Sequence, residues 1–317
     1  MFSEIQKFPE IEVSLGHEII EIRTDTVGEI HQNYLKDING KEYGPYDLIV
    51  ISDGQRSKLR DFLSSTDSDF NYIFHDFAWG CLWTIVDEFE EREYKQTLLQ
   101  VLNTCSQMAG YMPSGRNQED SRKKFSFFWS FHSKNYEKWA RDEITLDQIK
   151  SELLELDPNF SKHVLDQIKT KEQLQFANYK NVKSKNPGKR NIILIGDSFH
   201  ATSPVLGQGT NLALTDALVL SQCLSKIDKM SFALKEFTKL RRSPCNFIQN
   251  TSSLLNPIFQ SNIPFLHHFR DHLTPILTKI PYIYNQGLLT QSGIKNSLFS
   301  NYPIDEYAIP FQHFNKK

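Results

Sequence analysis

The sequence predicts an α/β fold interrupted by an antiparallel β insert and followed by a helical region. Three observations carry the prediction. Two continuous apolar runs, Asp47-Leu48-Ile49-Val50-Ile51 and Asn191-Ile192-Ile193-Leu194-Ile195, read as strands covered on both faces. Each run closes in a short Asp/Gly turn, Ser52-Asp53-Gly54 in one case and Gly196-Asp197 in the other. Between them, residues 70–132 are rich in aromatic and β-branched residues broken by turn signals, the pattern of an antiparallel sheet.

In chain order, residues 11–51 read as β-structure. Ile19, Ile20 and Ile22 make one short strand and Ile30 to Ile38 a second. Asn39-Gly40 is a hairpin signal, because a type I′ turn needs two residues that tolerate positive φ. In the insert, strands are expected over Tyr72 to Val86, Leu98 to Met112 and Phe125 to His132, with Pro113-Ser114-Gly115 as a separator. Residues 135–168 read as helical, broken at Asp157-Pro158, and Leu174 to Tyr179 as a further strand. Ser184 to Lys189 reads as a loop. After the Ile192–Ile195 strand comes a run of small residues, Ser198 to Gly209, and then a helix with Ala213, Ala217, Leu220 and Leu224 on one buried face. The last seventy or so residues read as helical segments punctuated by Pro244, Pro257, Pro264, Pro275 and Pro281.

Composition narrows the function classes. Hydrophobic residues are 39% and charged residues 23%, enough apolar surface for a packed core. The net charge of −2 lacks the basic footprint of a nucleic-acid binder, and the clusters Arg122-Lys123-Lys124 and Lys183 to Arg190 read as solvated loops. Cys81, Cys105, Cys223 and Cys245 form no CxxC pair, so neither a zinc site nor a disulfide framework is expected. No metal is expected at His267-His268 and His272 either. No apolar run approaches a membrane span and the N-terminus lacks a secretory pattern, so the cytoplasm is the expected location.

The chemistry concentrates in one string, Gly196-Asp197-Ser198-Phe199-His200 followed by Pro204 and then Gly207-Gln208-Gly209-Thr210-Asn211. A buried strand delivers Asp197 at its carboxyl end, where open α/β sheets bind ligands, and where a carboxylate can accept hydrogen bonds from a polyol or ribose. Gly207 and Gly209 remove side chains where backbone must approach a ligand. Thr210 and Asn211 open a helix whose first N–H groups favour electron-rich oxygens. The competing reading is a plain strand–turn–helix with Asp197 as a cap and His200 as a structural histidine.

The string resembles the GD motif of flavoprotein monooxygenases of the para-hydroxybenzoate hydroxylase and ubiquinone-biosynthesis hydroxylase type. The family pattern GDAAH, then P, then GQGxNxAxxDAxxL, is met here by GDSFH, Pro204 and GQGTNLALTDALVL, with Ser198 and Phe199 as the loosened positions. A second stretch, Tyr46 to Arg60, resembles the family's DG motif, DxxVGADGxxSxxR, with Asp53, Gly54, Ser57 and Arg60 in register and Ile51-Ser52 in place of Gly-Ala. The resemblance implies an FAD/NAD(P)-binding Rossmann-like fold with an antiparallel-sheet substrate domain and a C-terminal helical region. It implies FAD binding through Asp53, Gly54, Gly196, Asp197, Pro204, Gly207, Gln208, Gly209, Thr210 and Asn211. It further implies NAD(P)H as electron donor, and O2 activated as a flavin hydroperoxide that hydroxylates an apolar or aromatic small molecule. The protein's own task is positioning and exclusion of water, so no acid/base pair is required. A reductase or halogenase on the same scaffold is a rival within enzymes.

On this reading the chain divides into a partial FAD-binding domain at residues 1–66, a substrate domain at 67–182, the GD-motif part of the FAD-binding domain at 183–245 and a helical region at 246–317. The family's opening GxGxxG turn has no counterpart, since no Gly-x-Gly precedes Gly207-Gln208-Gly209. The fold is therefore expected to be incomplete, with Leu48–Val50 and Ile193–Ile195 having exposed neighbours that could pair with another chain. A truncated or degenerate non-catalytic relative, or a subunit whose FAD site a partner chain completes, stands as the alternative.

Overall fold

The computed structural model describes residues 2–88, 97–117 and 121–301. The chain opens with a short helix α1 (Phe2–Ile5) and three strands, β1 (Ile19–Val27), β2 (Ile30–Asp37) and β3 (Glu42–Tyr46). Strand β4 (Ile49–Ile51) and helix α2 (Lys58–Thr66) follow. Next come β5 (Tyr72–Asp87), β6 (Leu99–Leu102), β7 (Met108–Arg116) and β8 (Lys123–His132). Helices α3 (Tyr136–Ala140), α4 (Leu146–Leu156) and α5 (Pro158–Leu165) lead to β9 (Gln175–Ser184), β10 (Gly188–Lys189) and β11 (Ile192–Leu194). The remainder is helical: α6 (Asp197–His200), α7 (Gly209–Lys226), α8 (Met230–Phe259), α9 (Leu266–Leu277) and α10 (Pro281–Gln291). No helix among the described residues is long and apolar enough to cross a membrane.

Two compact units result. The first comprises Met1–Ile73, Val182–His200 and Ala213–Arg241; the second comprises Phe74–Asn181, Ala201–Leu212 and Arg242–Lys317.

The first unit holds an antiparallel sheet of order β1-β2-β3 and a mixed sheet of order β10-β11-β4. Val27 pairs with Ile30 across the two-residue Gly28-Glu29 turn, with Gly28 at φ 62°. The Asn39-Gly40 signal does mark a hairpin, between β2 and β3, but not a type I′ turn, because only Gly40 has positive φ. Asp37 organises that four-residue connection by accepting the N–H groups of Asn39 and Lys41, each at 2.9 Å. A two-residue turn with both φ positive lies elsewhere, at Arg190-Asn191 (51° and 58°), closing β10 onto β11. The stretch expected to be a loop therefore contributes a strand. Left-handed backbone disfavours a residue such as Arg190. The buried Asn33 side chain offsets this by donating to the Arg190 carbonyl at 3.0 Å.

Strand β11 lies between β10 and β4, so the expectation that Ile193–Ile195 has an exposed neighbour is corrected: both edges of β11 are paired. Among the described residues β4 and β10 are the two edge strands of this sheet. Ile49 and Ile51 are buried while Val50 is 42% exposed, so β4 is covered on one face only, contrary to the two-faced reading of its apolar run. Helix α7 buries Leu212, Asp216, Val219, Leu220 and Cys223, and Ala217 is exposed. The buried stripe is thus rotated from the expected Ala213–Ala217 face, because a buried carboxylate occupies a core position.

The second unit is built on a five-stranded sheet of order β6-β7-β8-β5-β9. Alternate residues face opposite sides of a strand. One face, carrying Leu82, Val86, Ala109, Tyr111, Phe127 and Trp129, packs with Trp139, Ile149, Leu153 and Val164 from the helices into a single apolar core. Leu98 to Met112 resolves into two strands rather than one, and Pro113-Ser114-Gly115 lies inside β7, where a register shift against β8 absorbs it. A capping box of Thr145 and Gln148 starts α4, and Asp157-Pro158 ends it and opens α5 as expected. By contrast, Pro244 and Pro257 do not punctuate; both sit within the 30-residue α8. The four cysteines are buried free thiols.

Close backbone approach explains one glycine. A Cβ at Gly80 would lie 2.1 Å from the Ala177 carbonyl oxygen of the adjacent strand β9. Gly80→Ala is expected to destabilise the protein by about 1–3 kcal/mol in urea unfolding. Gly287→Ala, in α10 with nothing within 4 Å of the new methyl, is expected to be neutral or stabilising by up to about 1 kcal/mol.

Candidate functional site

In the first unit, β4 and β11 run parallel, with Ile49, Val50 and Ile51 opposite Ile192, Ile193 and Leu194. Their carboxyl ends therefore emerge side by side, and each delivers a turn bearing an exposed acid: Asp53 after β4 and Asp197 after β11.

The first turn is set by Gly54 at φ 88°, a conformation for glycine, with open space where a side chain would stand. Its carbonyl accepts the Ser57 N–H at 3.1 Å, and Ser57 Oγ caps α2 by accepting the Arg60 N–H at 2.9 Å. Among the described residues Asp53 reaches only a long contact, the Leu59 N–H at 3.4 Å. Arg60 is buried, and its guanidinium donates to the carbonyls of Ser198 (3.2 Å) and Gln55 (3.1 Å) while stacking over Tyr72. Arg60 thus ties the first turn to the second. Beside β4 lies a groove of about 550 Å³, lined by Ile19, Leu35, Ile49, Val50, Asp53 and Arg56 among others.

The second turn begins at Gly196, φ 59°, where a Cβ would approach Ala213 of α7 to 3.3 Å. Ser198 Oγ lies 2.8 Å from the Ile51 carbonyl of β4 and 2.7 Å from the Ile195 carbonyl of its own segment, so its single hydroxyl hydrogen is shared between the two. Phe199 and His200 point inward and are buried. His200 Nε2 lies 2.5 Å from Asp216 Oδ2, and Arg241 Nε lies 2.6 Å from Asp216 Oδ1. Burial alone would raise the Asp216 pKa. The facing His200 and Arg241 overcome that and hold it below the ordinary carboxylate value. His200 is therefore committed to a buried contact with Asp216. Asp197 alone in the turn projects outward, and its carboxylate has no side-chain or backbone partner among the described residues.

The rest of the motif lies in the second unit. Ala201 C=O accepts from Gln249 at 2.9 Å, Ser203 N–H donates to Asn181 at 3.2 Å, and Ser203 Oγ donates to Asn256 at 2.7 Å. These bonds fix the loop that leads to the single turn Pro204–Leu206, which Gly207 closes at φ 62°. Pro204, Gly207 and Thr210 are exposed. Gln208 is buried instead: its amide donates to the Gln291 carbonyl at 2.8 Å and its Oε1 accepts from Asn211 at 3.2 Å. Its side chain therefore supports the loop, leaving main-chain groups as what Gln208 can offer a ligand. Gly209 begins α7, whose first-turn N–H groups have no acceptor within the helix.

Sequence reasoning named ten candidate positions, in these turns and at the opening of α7, but missed what supports them. Asp216 lay within the quoted motif without an assigned role, and Arg60 was in register but unassigned. Arg241 carried no sequence signal at all.

Comparison with known proteins gives the lineage. The sequence profile of the family described as FAD binding domain matches residues 1–229. A flavin-dependent monooxygenase from an unknown prokaryotic organism is 29% identical over 191 residues, which is 58% of this chain and 44% of the relative. The 3-hydroxybenzoate 6-hydroxylase of Klebsiella oxytoca is 23% identical over 240 residues, 73% of this chain and 57% of the relative. The chain thus spans about half the length of these curated relatives. The crystal structure of Klebsiella pneumoniae HpxO, complexed with FAD and uric acid, superposes with a TM-score of 0.63 at 14% identity, covering 88% of this chain and 67% of that one. The likeness extends to the fold.

Removing the Arg60 bridge tests the coupling of the two turns. Arg60→Ala is expected to cost about 1–3 kcal/mol for each carbonyl left without a donor, measured by chemical denaturation. Arg60→Lys should recover only part of the loss, because an ammonium lacks the fork that reaches two carbonyls.

Proposed function

This chain belongs to the FAD-binding-domain family, whose members include FAD-dependent monooxygenases of the aromatic-hydroxylase type, and from that premise we propose that it holds FAD at the two turns described above and takes part in NAD(P)H-dependent oxygenation of an apolar or aromatic small molecule. The observation that carries the reading is Asp197: an exposed carboxylate without a partner among the described residues, at the carboxyl end of a strand whose parallel neighbour ends in a second acid.

The residues fit a flavin nucleotide in kind. Asp197 offers acceptors to a polyol chain, and Asp53 offers a second set. Gly54 and Gly207 stand at positive φ with no atom within 4 Å of an added Cβ, so the main chain there is open to a ligand. Gly196 supports the Asp197 turn. Pro204 starts the single turn that presents this loop, and the main chain of Gly207, Gln208 and Gly209, with the first turn of α7 at Thr210 and Asn211, supplies N–H groups suited to electron-rich oxygens. FAD, when bound, supplies electron transfer between NAD(P)H, O2 and substrate. The chain's task is to orient and to exclude water.

For the substrate, support comes from the second unit's sheet. Trp83 and Phe128 are directly paired across β5 and β8 and half-buried, on the face opposite the packed core. Such a surface suits a flat apolar molecule. Four buried free thiols favour a reducing compartment, and we place the protein in the cytoplasm on that basis. The open edge of β4 and the groove beside it favour a second reading, in which another polypeptide segment, including one from a partner chain, adds a strand there before the cofactor binds well.

FAD titration followed by flavin fluorescence tests the first reading. Asp197→Ala is expected to weaken binding at least about tenfold, the loss of one or two charge-assisted hydrogen bonds. Flavin binding unaffected by Asp197→Ala would overturn the assignment. A chain that binds FAD only as a concentration-dependent oligomer, seen by analytical ultracentrifugation, would favour the second. Trp83→Ala is expected to raise KM for a phenolic substrate several-fold with little change in FAD affinity, measured by oxygen uptake.

A further inference from the structure

Asp216 lies on α7, away from the exposed acids, and is wholly buried. Its Oδ2 accepts the Gly196 N–H at 2.7 Å and faces His200 Nε2 at 2.5 Å. Gly196 and His200 bracket the short helix in which Asp197 stands, and the His200 N–H closes that turn on the Gly196 carbonyl at 2.9 Å. One carboxylate oxygen therefore grips both ends of the turn. The other oxygen is held by Arg241 at 2.6 Å, itself wholly buried. An ion pair in such a place costs considerable desolvation, and apolar replacements of equal volume are often as stable. Fold stability alone is thus a weak account of why three ionisable groups converge here. Geometry offers another. Gly196 sits in the left-handed region, and the residue after it takes its direction from that peptide.

We propose that Asp216 is a positioning residue: through the Gly196 N–H and the His200 ring it fixes the Gly196–His200 turn and so aims the Asp197 carboxylate at its ligand, with Arg241 holding Asp216 in place. What Asp197 holds rests on the flavin reading above; the clamp itself does not.

The test combines two measurements on the full chain. Amide hydrogen exchange of the apoprotein reports the clamp: in Asp216→Asn, the Gly196 N–H should exchange at least about tenfold faster, while the Leu194 N–H in β11 stays as it was. FAD titration in a double-mutant cycle reports the aim: Asp216→Asn should weaken binding at least about fivefold when Asp197 is present and less than about twofold in an Asp197→Ala background. Equal weakening in both backgrounds would mean a structural role only and overturn the proposal, as would unchanged Gly196 exchange. If the wild-type chain binds no FAD, the flavin reading fails while the exchange measurement still decides the clamp. Should Asp216→Asn not fold, the paired change Asp216→Leu with Arg241→Met removes the clamp without stranding a buried charge, and the same two outcomes apply.

Discussion

Three residues of β11 hydrogen-bond in parallel register to three residues of β4, and this short pairing is what the candidate site depends on. It joins chain segments with the whole antiparallel insert between them. Parallel neighbours necessarily end on the same side, so the Asp53 turn and the Asp197 turn leave one sheet edge together. The pairing is small for the work it does, and side chains reinforce it. Arg60 and Ser198 each carry a hydrogen bond from one turn to the backbone of the other. Both are buried, and the Ile51 carbonyl also accepts the Ile195 N–H at 3.0 Å. The two turns are thereby held in one geometry rather than merely adjacent.

The first unit uses polar burial repeatedly for placement. Asn33 is wholly buried and links the β1-β2-β3 sheet to the turn that starts β11, while Asp37 organises the connection between β2 and β3. The most concentrated case is Asp216 with His200 and Arg241. These groups stand at positions where helical periodicity alone would put aliphatic side chains. Buried hydrogen bonds are directional where apolar contact is not, and direction is what a turn presenting one exposed carboxylate requires.

The second unit follows a different logic. Its sheet has one face closed by aromatic and aliphatic side chains against α3 to α5, and this apolar core supplies the driving force there. On the other face Cys81, Met108 and Ser130 are buried as well, while Trp83 and Phe128 are half-buried. The loop from Ala201 to Leu206 is anchored in the same unit by Gln249, Asn181 and Asn256, so the small residues of the motif are held by side chains far along the chain.

How far the sequence reached can be read from particular elements. It determined the identity of β4 and β11 from their apolar runs, the antiparallel insert from its aromatic β-formers, the break at Asp157-Pro158, and the two turns with their acids, because each of these is written in residues close together in the chain. It could not decide that β10 exists, that Val50 is exposed, that α8 passes through Pro244 and Pro257, or that α7 turns Asp216 inward and Ala217 outward. Those outcomes depend on neighbours supplied by distant segments. A two-residue strand exists only against its partner, a proline is tolerated in a helix when the surrounding packing outweighs its lost hydrogen bond, and a carboxylate is buried only where an arginine from another helix meets it. Local pattern specified which groups this protein can offer a ligand; only the tertiary structure decided which of them are turned outward to offer it.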